Sequence, residues 1–388
     1  MAEPLPVIEH QVIPENLKTN GYVEFDQVDF VLTFSGRAID LGSIRLEGEF
    51  EALYDGNFLS STLNNNGVIN QKDICLDPLV GAHSVCEQWS TTLQGSAAGS
   101  AAGQIENITE YPRYVKMSTA AASGVDDMNN ASHVCEMKAP YREMTNSLLQ
   151  GVVPVAQVAP PIRINPDFSI RPSICLNAGQ GSVPYSRTGD IRLTLTLARN
   201  AAVFNGIDVD ANVSYKLRDL RVTFRSSPEA MGSKEPVAMK TKLHIKQSIQ
   251  SSFANVQTKV PAEVMAVSCS FQPQGEENTF KNNNLQLSKL PDLIKTNFNF
   301  NDATNQLVSY EIKNNIELVG RFIDSFMDTG RNSLSTQKLA NNNGFGIGID
   351  LGQVVNLVQS KFGIQLTSSI DSTIPFIIYM YFHSFVEV

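Results

Sequence analysis

Charge is scarce in this 388-residue chain. Asp, Glu, Lys and Arg make up only 18% of it, and the balance is acidic, at −9. A general nucleic-acid binder presents a basic face, which this balance argues against. The basic residues are scattered: Arg218, Arg221 and Arg225 alternate with apolar partners, and Lys234, Lys240, Lys242 and Lys246 are strung along a connection and a strand. They read as solvated strand faces. Tryptophan is almost missing, with one residue, which leaves little for the aromatic platform of a carbohydrate-active enzyme. The five cysteines, at 75, 86, 135, 175 and 269, form no CxxC pair, so zinc spacing is absent. The favoured reading is buried, reduced thiols in a protein assembled inside a cell, and a Cys75–Cys86 disulfide is the alternative. No run of about 18 apolar residues exists, so no transmembrane helix is predicted. Met1 to Pro6 has neither the basic nor the apolar region of a signal peptide. The Asn-x-Ser/Thr triplets at Asn107, Asn130 and Asn212 therefore carry little weight.

What is present points to β-structure. Apolar residues reach 42%, and uncharged polar residues are plentiful; these suit turns and exposed strand faces. The length calls for two domains of roughly 150 to 200 residues. The last stretch is the most informative. Gly344 to Leu351 alternates large apolar residues with glycine, the period of a strand against whose glycine face something packs closely. Phe362 to Leu366 alternates again. Ile374 to Phe382 is apolar on both faces, so the chain is predicted to end in the middle of a sheet.

Earlier strands are expected at Val28–Phe34, Ile44–Phe50, Val85–Trp89, Ile191–Leu197 and Val213–Phe224, the last one bulged or partly exposed. After 237 they restart with Leu243, Ile245, Ile249, Phe253 and Val256, and continue over Val264–Phe271 and Ile294–Phe300. Asn64–Gly67 and Asn341–Gly344 are turn signals. Residues 93–105 look like a loop tip, and Leu285, Leu287 and Leu290 lead into the strand at 294. Residues 108–149 read as an excursion with one or two helices, and helical spacing predicts a helix over roughly 310–327. Residues 1–20 read as an extended arm. The two halves match in outline, each with strands, a helix-bearing excursion, then strands. Runs of strands without strand–helix alternation favour sandwiches, and two eight-stranded jelly rolls fill the length. The expected fold class is thus all-β: two tandem antiparallel jelly rolls with helix-containing excursions. The expected division is an arm (1–20), a first roll (21–228), a linker (229–236) and a second roll (237–388).

Several segments carry a resemblance to a family. They are Phe30–Gly36, Ser43–Gly48, Asp77–Ser84, Leu290–Ile294, and Gly346–Leu351 through Phe362–Leu366. In this order the chain resembles the double jelly-roll major capsid proteins of icosahedral DNA viruses, the group that includes virophages, polinton-like viruses and tailless membrane-containing phages. The resemblance implies a homotrimeric capsomer with a pseudo-sixfold outline, tiling a shell around a double-stranded DNA genome. It implies that the rolls stand roughly perpendicular to the shell, with the excursions outside and the arm below. The implied partners are neighbouring capsomers, minor capsid and penton proteins, and contact with an internal membrane or the genome; the implied place is the virion.

Signs of chemistry are thin. The five His (10, 83, 133, 244 and 383) are far apart, and only His133 and Cys135 approach ligand spacing. Asp77, His83 and Ser84 lie close in sequence, but no Gly-x-Ser-x-Gly elbow supports a triad. Asp126-Asp127 and Glu276-Glu277 read as solvated loop acids, and Asp208 with Asp210 as a loose Ca²⁺ site at most. No catalytic, cofactor-binding or metal residue is predicted, and no cofactor. The reading is a structural capsid protein and not an enzyme. A jelly-roll glycan-binding or vertex/spike protein is the second reading, and a carbohydrate-active sandwich enzyme the third.

Overall fold

The computed structural model describes residues 7–55, 57–58, 75–77, 80–95, 103–122, 167–175, 181–205, 209–235, 238–249, 253–259, 263–276, 280, 293–301, 306–312, 314–326, 346–356, 361–368 and 375–387. The first half holds β1 (Ile8–Val12), β2 (Gln27–Leu32), β3 (Arg37–Tyr54), β4 (Asn57–Phe58), β5 (Cys75–Leu76), β6 (Cys86–Leu93), β7 (Gly103–Thr109), β8 (Asp167–Ile170), β9 (Val183–Pro184), β10 (Ile191–Leu197), β11 (Phe204–Asn205) and β12 (Val213–Pro228). The second half holds β13 (Ala238–Ile249), β14 (Phe253–Lys259), β15 (Glu263–Pro273), β16 (Leu293–Asn301), β17 (Gln306–Ile312), β18 (Ile347–Asn356), β19 (Lys361–Ser368) and β20 (Phe376–Glu387). Two longer helices interrupt them, α1 (Tyr111–Ala122) and α2 (Asn315–Asp324).

Alternation places the strands. In β10, Ile191, Leu193, Leu195 and Leu197 are fully buried and the residues between them are half-buried. In β12 the buried set is Val213, Tyr215 and Leu217, then Leu220, Val222 and Phe224. The phase changes at a bulge around Asp219, which sits at φ +49°. The expected bulge is therefore what keeps one face of a 16-residue strand on the core. In β20, Phe376 to Phe382 are all buried, because the strand is flanked by β13 and β15 and covered on both faces. The chain end does run through the middle of a sheet.

The topology repeats. If the eight principal strands of each half are counted in chain order, both halves show one sheet of order 1-8-3-6 and one of order 2-7-4-5. In the first half these are β1-β12-β3-β8 and β2-β10-β6-β7; in the second they are β13-β20-β15-β18 and β14-β19-β16-β17. Each half is an eight-stranded antiparallel jelly roll. In both, the fifth strand leads straight into the helix: β7 into α1, and β17 into α2.

Some expectations shift at their edges. Ile8–Val12, inside the expected arm, is a strand that pairs with β12 of its own chain. Alternation is poor there because an edge strand lying on the surface needs no buried face. The helix predicted from 310 begins only at Asn315. Tyr310 to Ile312 belong to β17, and the Asn314 side chain caps the helix by accepting from the Glu317 N–H at 2.8 Å. Leu93 and Gly103–Ile105, in the expected loop tip, are strand ends, and so are Ile108 and Thr109 at the start of the expected excursion. Cys86 is a free, buried thiol, so the alternative disulfide with Cys75 does not form. Residues 229–235 of the connection after β12 pack on the first roll: Arg187 donates to the carbonyls of Lys234 and Glu235, and Gly232 sits against Pro184 and Ala38. The turns at 64–67 and 341–344, the leucines at 285–290 and most of both excursions lie outside the described residues.

The glycine face predicted for the terminal strand is occupied. A Cβ on Gly348 would collide with Ser325, just past α2, and one on Gly346 with the Cys269 carbonyl and the Phe322 ring. Helix α2 lies on β18 at this point, and its approach requires glycine. Among the described residues no helix is long and apolar enough to cross a membrane.

Candidate functional site

A chain built of two barrels must hold them in one fixed relation if it is to act as a building block. Buried apolar side chains from both halves form one continuous cluster. The sheets also join: β7 of the first roll pairs in parallel with β13 of the second, at Asn107 and Leu243. An eight-stranded sheet, β18-β15-β20-β13-β7-β6-β10-β2, therefore crosses the boundary.

Helix α1 lies over that joint and faces both rolls. Tyr111 points into the first, with ring contacts to Trp89 at 6.2 Å and His83 at 5.8 Å. Tyr114 points into the second, touching Tyr381 at 5.4 Å, Phe326 at 5.9 Å and His383 at 6.0 Å. Residues three apart on a helix share a face, so this spacing lets one stripe reach two bodies. Arg113 is 1% exposed; its guanidinium lies 4.1 Å over the Tyr379 ring and donates to the Gln272 side-chain carbonyl. A buried guanidinium placed in this way combines a charge-assisted hydrogen bond with a cation–π contact. Lys116, one turn on, pairs with buried Asp77 and ties the helix back to the first roll.

The helix entrance is polar. Glu110 adopts φ +54°, and its carbonyl accepts from the Tyr381 hydroxyl at 3.0 Å and the Arg113 N–H at 3.0 Å. Its carboxylate meets Lys246 of β13 at 3.4 Å. The His244 ring stacks on Tyr381 at 4.6 Å, and its Nδ1 shares a hydrogen bond with the Thr109 hydroxyl. Burial, with Lys246 and Arg113 adding, holds His244 down to about 3, so it is neutral here. Burial first, then the Glu110 carboxylate, pushes Glu87 up to about 7.

The residues weighed for chemistry are not brought together. Asp77 is engaged with Lys116, His83 is packed against Tyr111, and Ser84 is buried in the 3₁₀ turn Gly81–Val85. His10 stacks on Phe224 at 4.6 Å, and His383 meets Ser268 at 3.0 Å. Asp210 closes a turn by accepting from the Asn212 N–H. His133, Cys135, Asp126, Asp127, Asp208 and Glu277 lie outside the described residues. Among the described residues, no three His, Cys, Asp or Glu side chains gather as a metal site. Sequence reasoning missed the junction residues Glu87, Glu110, Arg113, Tyr114 and Gln272. The only local signal was Tyr111 and Tyr114 at helical spacing around an arginine.

No family model and no curated protein matches this sequence. Solved structures do match in shape. A Sputnik virophage chain is 8% identical with a TM-score of 0.56, the match covering all of this chain and 89% of that one. The Faustovirus major capsid protein is 8% identical at 0.55, covering 99% and 90%. A chain of the PBCV-1 virus capsid is 10% identical at 0.53, covering 99% and 94%. Two consecutive jelly rolls, matched along nearly their whole length, give this chain the fold of the double jelly-roll major capsid proteins.

Proposed function

We propose that the chain is a major capsid protein whose homotrimers form pseudo-hexameric capsomers of an icosahedral shell. The observation that carries this is the pair of complete jelly rolls with the same strand order, locked into one body by the crossing sheet and by α1. Three copies of such a body supply six similar blocks, which tile a hexagonal lattice with only threefold symmetry. The two rolls divide at the connection 229–236. In this reading the role is structural and not catalytic. The N-terminal segment supports contact with other molecules: Val7, Ile13, Leu17, Val23 and Phe25 are between 42% and 66% exposed, although apolar. The partners are further copies, then neighbouring capsomers and penton or minor proteins, and the place is the virion. Light scattering on the purified chain tests the reading. A stable trimer is expected, with each interface burying on the order of 1,000 Å² or more; a monomer that persists at high concentration contradicts it.

A further inference from the structure

The entrance of α1 carries an arrangement that a passive joint does not need. In the β6–β10 pair, Thr196 faces Gln88 and Leu197 faces Cys86, so Glu87 is passed over and bulges out. In the β6–β7 pair, Gln88 faces Thr109, which sets Glu87 opposite Glu110 one step beyond the ladder. Two carboxylates directly across a strand pair repel each other. Bulges characteristically re-aim a side chain at a working site. Here the re-aimed side chain stands where the first roll meets the second, because Glu110 is also the residue that Lys246 of β13 reaches and whose carbonyl holds Tyr381 of β20.

We propose that Glu87 and Glu110 form a proton-operated latch at the junction of the two rolls. With one proton between them, the pair is free of mutual repulsion and Glu110 is held by Lys246. When that proton leaves, like charges face each other just beyond the end of the β6–β7 ladder and the β7–β13 seam loosens.

The surroundings set the direction of the switch. Three cations act on Glu87 through their charge: Arg199 from the segment after β10, Lys246 from β13 and Arg113 from α1. They favour the charged form, yet burial and Glu110 outweigh them and Glu87 sits near 7. Of the other groups at hand, His244 stays neutral, and burial keeps the Cys86 thiol and the Tyr215 and Tyr381 hydroxyls protonated. Glu24 and Asp26, before β2, add negative charge that is felt at Tyr215 along with that of Glu87. A carboxyl with a raised folded-state value makes the fold more stable when protonated. The stabilisation is full below about 4.5 and is lost as pH rises through about 7. The latch therefore tightens in mild acid and slackens in mild base.

The test is hydrogen exchange and thermal melting of the full chain between pH 5 and pH 8, for wild type, Glu87→Gln and Glu110→Gln, with exchange corrected for its intrinsic pH dependence. Wild type is expected to lose protection in β7 and β13 at the upper end, while the rest of both rolls keeps theirs. Glu87→Gln, which cannot ionise, should hold that protection at pH 8 and melt several degrees higher there, with no gain at pH 5. Glu110→Gln, which removes the repelling partner, should shift the wild-type transition to lower pH. If both variants track wild type across the range, or if carbon-detected NMR titration places Glu87 in the ordinary carboxylate range, the latch is overturned.

Discussion

Removing the last strand is the most severe perturbation that a short deletion can impose on this fold. A chain ending at Pro375 loses Phe376, Ile377, Ile378, Tyr379, Met380, Tyr381 and Phe382, none more than 7% exposed. At about 1.5–3 kcal/mol for each large apolar side chain, the loss is roughly 10–20 kcal/mol. Residual burial in the denatured chain lowers that by roughly 10–40%. What remains, about 6–18 kcal/mol, is of the same size as the roughly 5–15 kcal/mol that typically holds a domain together. The deletion also leaves β13 and β15 with unpaired edges where β20 lay between them, and it removes the ring under Arg113. The shortened chain is expected to be insoluble or to show no cooperative melt by circular dichroism. A control ending at Ser384 keeps the whole buried run and should melt cooperatively. A soluble product ending at Pro375 with a sharp transition would refute the reasoning, since the strand would then not be integral to the second roll.

Other perturbations probe separate joints. Gly348→Val drives a branched side chain into Ser325 and the Val267 carbonyl, and should cost about 1–3 kcal/mol, read as a lowered denaturant midpoint with an unchanged slope. Arg113→Met gives up the contact over Tyr379 and removes the charged donor to the Gln272 oxygen, leaving it the longer bond from the Tyr379 hydroxyl at 3.5 Å. A loss of about 2–4 kcal/mol is expected, with exchange protection falling on both sides of the junction rather than in one roll alone. His244 is held down to about 3, so its contribution is present above about 6.5 and is lost as pH falls toward 3; His244→Gln should flatten the stability profile of the chain below pH 6. That slope is opposite in sign to the one from Glu87, and the two variants separate them.

Much of the fold could be read from periodicity, and the reason is physical. Ile191–Leu197 alternates cleanly because its two faces meet different surroundings, and Phe376–Phe382 is apolar throughout because both of its faces meet protein. The glycines at 346 and 348 announced a close neighbour, and α2 supplies it. Where surroundings are mixed, the pattern fails. β1 lies on an edge with its side chains half-exposed, and so reads as an arm. Tyr310–Ile312 runs directly into the cap of α2, and its apolar residues keep a spacing that fits either element. The junction was illegible for another reason. Glu87 and Glu110 are 23 positions apart, and each of them further still from Lys246; only the register of β6, β7 and β13 brings them together. Arg113 gave no sign of being buried, because its partners Gln272 and Tyr379 come from the other roll.

The proposed function has one chain supply two like blocks, joined in one body by the crossing sheet, to a threefold capsomer. Electron micrographs of the purified protein test it most directly. Class averages are predicted to show trimers with six near-equal lobes, and separate or flexibly tethered lobes without threefold order would contradict the account.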